Sequence, residues 1–142
     1  MCGLIKQFGP LTGRALLSLI FIIAGVHKVK TFTAASAFLA NQGLMMSDVL
    51  LVLIISIELG AGIFILFGIK ARLCAAIVFV YLIPMTVFFH PYWTFEGMER
   101  MSHFHHFFKN IAMMGGMMYI MVHGAGPLSF DNKQNTTKHE NI

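Results

Sequence analysis

The stretch Asp48–Gly68, DVLLVLIISIELGAGIFILFG, is an apolar run long enough to cross a bilayer, with one carboxylate, Glu58, at its midpoint. About 20 apolar residues in a helix span the ~30 Å hydrocarbon core. A carboxylate at that depth costs on the order of 2.5 kcal/mol or more on insertion scales, so it persists where it faces other helices, meets a partner or takes up a proton. Glu58 is therefore the first candidate functional residue, and lipid is the solvent in which the rest of the chain is read.

Composition agrees with that reading. The chain has 142 residues, of which 57% are hydrophobic and 11% charged, against roughly 25% charged in soluble domains. That length suits one domain. The formal net charge of +4 comes from Lys and Arg scattered beside apolar runs, not from a basic face, which argues against nucleic acid as a partner. Cys2 and Cys74 stand far apart and form no CxxC, metal-type pair or disulfide framework. The opening MCGLIKQFGP puts a lysine before an apolar run without a small-residue cleavage site after it, so an uncleaved membrane helix is expected.

Outward from Asp48–Gly68, the preceding apolar run, Leu11–Val26, is a first span, with Arg14 snorkelling to the near surface and His27 and Lys28 at its end. Between the two spans, Phe32, Phe38 and Leu39 recur at helical spacing in a polar connector, which predicts a short amphipathic helix on the membrane surface. The tight turn Ile69–Arg72 leads into a third span, Ala71–Phe89, kinked at Pro84. A polar, aromatic loop, His90–His103, sets Tyr92 and Trp93 at the interface before a fourth span, Phe104–Val122.

The expected fold class is an all-α integral membrane protein, a four-transmembrane-helix bundle with a short interfacial helix between helices 1 and 2. Residues 1–128 form the membrane domain and residues 129–142 a polar cytoplasmic tail, whose sequon at Asn135 carries no weight on that side. Lys6, Arg14, Lys70, Arg72, Lys133 and Lys138 fall on one face, against Lys28, Lys30, Arg100 and Lys109 on the other. That bias places both termini in the cytoplasm.

The candidate pocket comprises Glu58, Lys109, Asn110, His90, Lys28, Arg14 and Arg72. Lys109 lies roughly 7 to 8 Å below the outer start of its helix and Glu58 ~15 Å below the start of its own, a gap that a lysine stem spans in large part. Lys109, with Asn110 beside it, is thus expected as the counter-charge of Glu58; the competing reading has Lys109 snorkelling to the headgroups and Glu58 protonated. Arg14 and Arg72 read first as snorkelling, topology-setting residues. Ala61 and Gly62 share a face with Glu58, and Ala112, Gly115 and Gly116 form a second small-residue seam, both suited to close helix packing. His103 and His106 stand three apart on a helix, the nearest approach to a metal pair. Without cysteine partners or an HExxH arrangement, these read as interfacial histidines and no metal is expected.

With these residues in place the order of motifs resembles the DoxX family of small bacterial inner-membrane proteins, from about Gly13 to Asp131. Arg14, Phe21, Gly25 and Lys28 resemble its first-helix pattern, and Glu58, Gly62, Gly68 and Arg72 its second helix and following turn. Phe89-His90 with Trp93, Phe108-Lys109-Asn110 with Gly115-Gly116, and the closing stretch Gly124 to Asp131 complete it. The resemblance implies a four-helix fold in the bacterial inner membrane and a place in redox physiology, with a membrane or periplasmic redox protein as partner. It supplies no catalytic residues. The lack of a cysteine pair here departs from a thiol relay.

Three functions follow as expectations. The first is a redox-associated subunit binding a quinone in a cleft lined by Glu58, Lys109, Asn110 and His90, where a cationic donor holds a quinone oxygen and the carboxylate handles protons. The second is a non-catalytic scaffold or assembly factor for partner proteins. The third is a small proton-coupled carrier, which lacks the paired broken helices and inverted repeat of such proteins.

Overall fold

The computed structural model describes residues 2–133, the first of them by its backbone alone. Most of the polar tail and its Asn135 sequon lie outside the described residues. Within them the chain is helical, with no strand. The helices are α1 (Cys2–Lys30), α2 (Phe32–Asn41), α3 (Ser47–Ser56), α4 (Gly62–Phe67), α5 (Ala71–Phe89) and α6 (Gly97–His123). A π-helical turn, Ile57–Ala61, joins α3 to α4, and a 3₁₀ turn, Tyr92–Thr94, precedes α6. Among the described residues three stretches are long and apolar enough to cross a membrane: Gly3–Lys30, Ser47–Phe67 and Ala71–Thr94. Leu16, Val52 and Val80 are 67%, 54% and 64% exposed, an outward apolar surface that hydrocarbon satisfies and water does not.

Two of the expected boundaries move. Helix α1 has 29 residues, roughly 44 Å at ~1.5 Å per residue, and overruns Leu11–Val26 at both ends. Pro10 lies inside it without ending it. At the other end His27, Lys28 and Lys30 occupy the last turn, where cations oppose the negative end of the helix dipole. Helix α6 begins at Gly97, not Phe104, so the second half of the expected loop is helical. Met98, Glu99 and Arg100 are ready helix formers, and Glu99 sits in the first turn, where a carboxylate is favourable. Helix α6 carries Glu99, Arg100 and Lys109 in its first half and is not among the three stretches apolar enough to cross.

The chain divides into two compact units, one running to Lys70 and resuming at Ala125, the other Ala71–Gly124. In the first, α1 packs along α3, the π turn and α4. Gly25 meets Leu59, and Phe21 and Ile22 meet Gly62, so the two chains run antiparallel, numbers rising on one as they fall on the other. Helix α2 packs on α3. It buries Ser36 and Leu39 while leaving Phe38 outside. The Ser36 hydroxyl donates to the Asp48 carboxylate, and its oxygen lies 2.9 Å from that of Ser47.

In the second unit, α6 packs along α5. Asn110, Met113, Met117 and Ile120 are its buried positions, spaced three and four apart as a helix seam requires. On α5 the buried set is Ala71, Cys74, Ala75, Val78, Leu82 and Thr86. Pro84 lies within this helix and has no N–H to give to the carbonyl of Val80. The hydroxyl of Thr86 bonds back to Leu82 O at 2.6 Å beside it.

Candidate functional site

Glu58 sits in the π turn and is 4% exposed. A π turn spends one extra residue per turn, which widens the helix locally and re-aims its side chains. Gly60 lies within the widening and Gly62 directly after it, residues whose weak hold on the α-helix lowers its cost. The ammonium of Lys28 donates to both carboxylate oxygens, at 2.9 and 2.8 Å. The pair is lopsided: the lysine side chain is 27% exposed and the carboxylate 6%.

Lys28 reaches this depth because of helix geometry. The Cα–Cβ bond of a helical residue tilts toward the helix N-terminus, so the stem of Lys28 runs back toward the level of Gly25, one turn earlier. Gly25 is where α1 comes closest to the π turn: a β-carbon there would stand 2.6 Å from Leu59 Cγ and 3.3 Å from its backbone nitrogen. A glycine at 25 and a lysine at 28 therefore act together, one admitting the neighbouring backbone and the other delivering a charge beside it. Lys28 thus supplies a counter-charge to Glu58 from within the same unit. Lys109, in the second unit, has its amine 3.0 Å from His106 Nδ1.

Arg14 departs furthest from expectation. Snorkelling predicts an exposed guanidinium, yet Arg14 is 3% exposed. Its Nε donates to Leu66 O at 3.2 Å, its Nη1 to Ala125 O, and its Nη2 to Leu128 O at 2.8 Å. The planar fork thereby ties α1 to the end of α4 and to the segment after Gly124, a geometry that suits guanidinium and not ammonium. Gly68 makes room for it. With φ +68° it turns the chain out of α4, and a β-carbon there would stand 3.2 Å from Arg14 Cζ. Asp131 closes the same corner, its N–H donating to Gly68 O at 2.9 Å and its carboxylate accepting the Lys70 N–H at 2.7 Å. Arg14 is a candidate pocket residue by type and position, but these carbonyls are backbone acceptors and leave no mark in residue identity.

The remaining candidates lie in the second unit. Arg72 is exposed and packs against Gly124, where a β-carbon would stand 3.3 Å from its Nε. Asn110 is buried in the α6 seam. His90 stacks on His106 at 5.0 Å between centroids, and its Nδ1 lies 3.4 Å from that of His103. His103 in turn stacks on Phe95 at 4.0 Å. Three imidazoles thus gather, yet among the described residues no group of three or more His, Cys, Asp or Glu is arranged to hold a metal ion. His106 meets His90 by its ring face, so only the Nδ1 atoms of His90 and His103 approach each other. Tyr92 sits edge-on to Trp93, Phe104 and Phe107, each at 5.3 Å, an aromatic cluster of the kind that collects at membrane interfaces.

A family model described as DoxX matches residues 9–91, more than half of the chain. The chain belongs to the DoxX family. The DoxX match takes in Arg14, Gly25, Lys28, Glu58, Gly68 and Arg72, so the Lys28–Glu58 pair falls inside it, while Ala125 and Leu128, two of the carbonyls that Arg14 reaches, lie beyond it. His103, His106, Lys109 and Asn110 lie beyond it.

The chain is also similar to two curated proteins of Escherichia coli K12. It is 28% identical to inner membrane protein YphA over 123 residues, covering 87% of this chain and 88% of that one. It is 28% identical to inner membrane protein YqjF over 131 residues, covering 92% and 95%. No solved structure matches the chain.

Proposed function

We propose that this DoxX protein is a multi-pass inner-membrane protein, as its relatives are named, with α6 as a fourth crossing, α2 on the membrane surface and both termini in the cytoplasm. Its functional centre is the Lys28–Glu58 pair, which serves a quinone-linked redox system. The observation that carries this reading is the pair itself, an ammonium and a carboxylate in direct contact within apolar spans, set on a π turn. Ionisable residues inside a membrane are costly and belong to function by default, and π turns recur at functional sites.

The chemistry fits the ligand class. An ammonium has three N–H donors, and Lys28 turns two of them to Glu58 while remaining partly exposed. The third is available to a quinone carbonyl oxygen. The carboxylate beside it holds or releases a proton as the charge on that oxygen changes. The test is to purify the protein in mild detergent and measure bound quinone in wild type, Glu58→Gln and Lys28→Gln. Loss of quinone in both variants, with folding intact, is the expected result; unchanged quinone in either removes the pair from the function.

A second reading is a scaffold for partner membrane proteins, in which the pair sets helix register. The closure of both carboxylate oxygens onto one lysine favours it. Under that reading the same variants lower thermal stability and partner recovery in proportion, and no quinone is retained by the wild type.

A further inference from the structure

We propose that the outer face of α1 carries a site for a single anionic phospholipid. Two adjoining cavities of the first unit define it. One, about 370 Å³, is an apolar groove along α1 lined by Leu11, Ala15, Leu16, Leu19, Ile22 and Leu66. The other, about 230 Å³, shares Leu11 and Leu66 and adds Arg14, Leu128, Phe130 and Lys133. Together they make a furrow that is apolar along its length and cationic at one end.

The dimensions match one lipid chain. From Leu11 to Ile22 the groove follows α1 for roughly 16 Å at ~1.5 Å per residue, about one leaflet of the ~30 Å hydrocarbon core. At the cationic end Lys133 extends over the ring of Phe130, with its ammonium 5.8 Å from the centroid. Arg14 lies behind it, with its guanidinium turned to the carbonyls of Leu66, Ala125 and Leu128. The Asp131 carboxylate in this corner accepts the Lys70 N–H and acts electrostatically on Arg14, so Arg14, Lys133 and Asp131 together leave one net positive charge. An acyl chain in the groove thus brings its phosphate to Lys133 in the field of Arg14. A soluble phosphate would use the cationic end and leave the groove empty; a zwitterionic lipid would fill the groove but bring a choline against two cations.

The test is native mass spectrometry of the detergent-purified protein titrated with phosphatidylglycerol, phosphatidylcholine or inorganic phosphate. Wild type is expected to retain phosphatidylglycerol about fivefold better than phosphatidylcholine, the gain of ~1 kcal/mol that one basic side chain near a membrane surface draws from anionic lipid. Lys133→Gln is expected to bring the two lipids within twofold of each other, and Ala15→Phe, which fills the groove, to lose both. Leu16→Trp, at an outward position that accepts bulk, repeats the groove test if the first variant does not fold. Equal retention of the two lipids by wild type overturns the proposal, as does an undiminished preference in Lys133→Gln. Full binding by folded groove variants, or displacement of phosphatidylglycerol by equimolar phosphate, overturns it in favour of a headgroup-only anion site.

Discussion

Gly25 faces Leu59 across the α1 and π-turn contact so closely that a β-carbon on the glycine would stand 2.6 Å from Leu59 Cγ and 2.8 Å from its Cδ2. This contact sets the depth at which Lys28, three residues on, meets Glu58. The ion pair is therefore a consequence of backbone approach as much as of charge.

Enlarging residue 25 is expected to disturb both. Gly25→Val should lower stability by roughly 1–3 kcal/mol through overpacking, read as a drop in the thermal midpoint in detergent. Because the obstructing atoms belong mainly to the Leu59 side chain, Leu59→Ala in the same chain should recover part of that loss. A double variant no more stable than Gly25→Val would mean that backbone, not side chain, sets the limit.

The two partners of the ion pair should not be independent. Lys28→Met leaves the Glu58 carboxylate buried without its ammonium and should cost on the order of 3 kcal/mol. Lys28→Met with Glu58→Leu removes both charges and should be more stable than that single variant. Equilibrium unfolding of the single and double variants decides it: additive losses would show that the two groups do not interact.

Arg14 should not be replaceable by lysine. Arg14→Lys keeps the charge but gives up the fork that reaches Leu66, Ala125 and Leu128. A loss on the order of 3 kcal/mol is expected, since hydrogen bonds from charged donors contribute about 1.5–3 kcal/mol each. Limited trypsin digestion should cut after Lys133 faster in this variant than in wild type, and an unchanged rate would remove Arg14 as the anchor of the segment after Gly124.

The contact of α2 with α3 rests on a small polar cluster. Ser36→Ala removes the hydroxyl that donates to Asp48 and lies beside Ser47, and should cost about 1 kcal/mol. Hydrogen exchange of the amides in Phe32–Asn41 should quicken in this variant, with those of α5 unchanged. Uniform exchange across both helices would refute a local role.

Much of this molecule was legible before any coordinates. Apolar run length marked the second and third spans, and Ala71–Phe89 with Pro84 inside it is the helix found. The cost of a charge in hydrocarbon singled out Glu58, and the motif order pointed to the DoxX family. Other features resisted reading for particular reasons. Helix α1 extends to Cys2 through Pro10 and α6 starts at Gly97, because helix ends depend on local capping and dipole terms of a few tenths of a kcal/mol to about 1 kcal/mol. The π turn left no pattern beyond two glycines, of which Gly62 also serves packing against Phe21 and Ile22.

Residue identities alone point to lipid as the solvent, to the helical class and to the one acid that needs compensation, since these follow from the transfer cost of each side chain taken singly. It took the packed fold to bring Lys28 onto Glu58 and to turn Arg14 inward to the carbonyls of Leu66, Ala125 and Leu128. Those choices depend on where two backbones come close enough for a flexible cation to leave the headgroups, and the distance between backbones is a property of the packed chain.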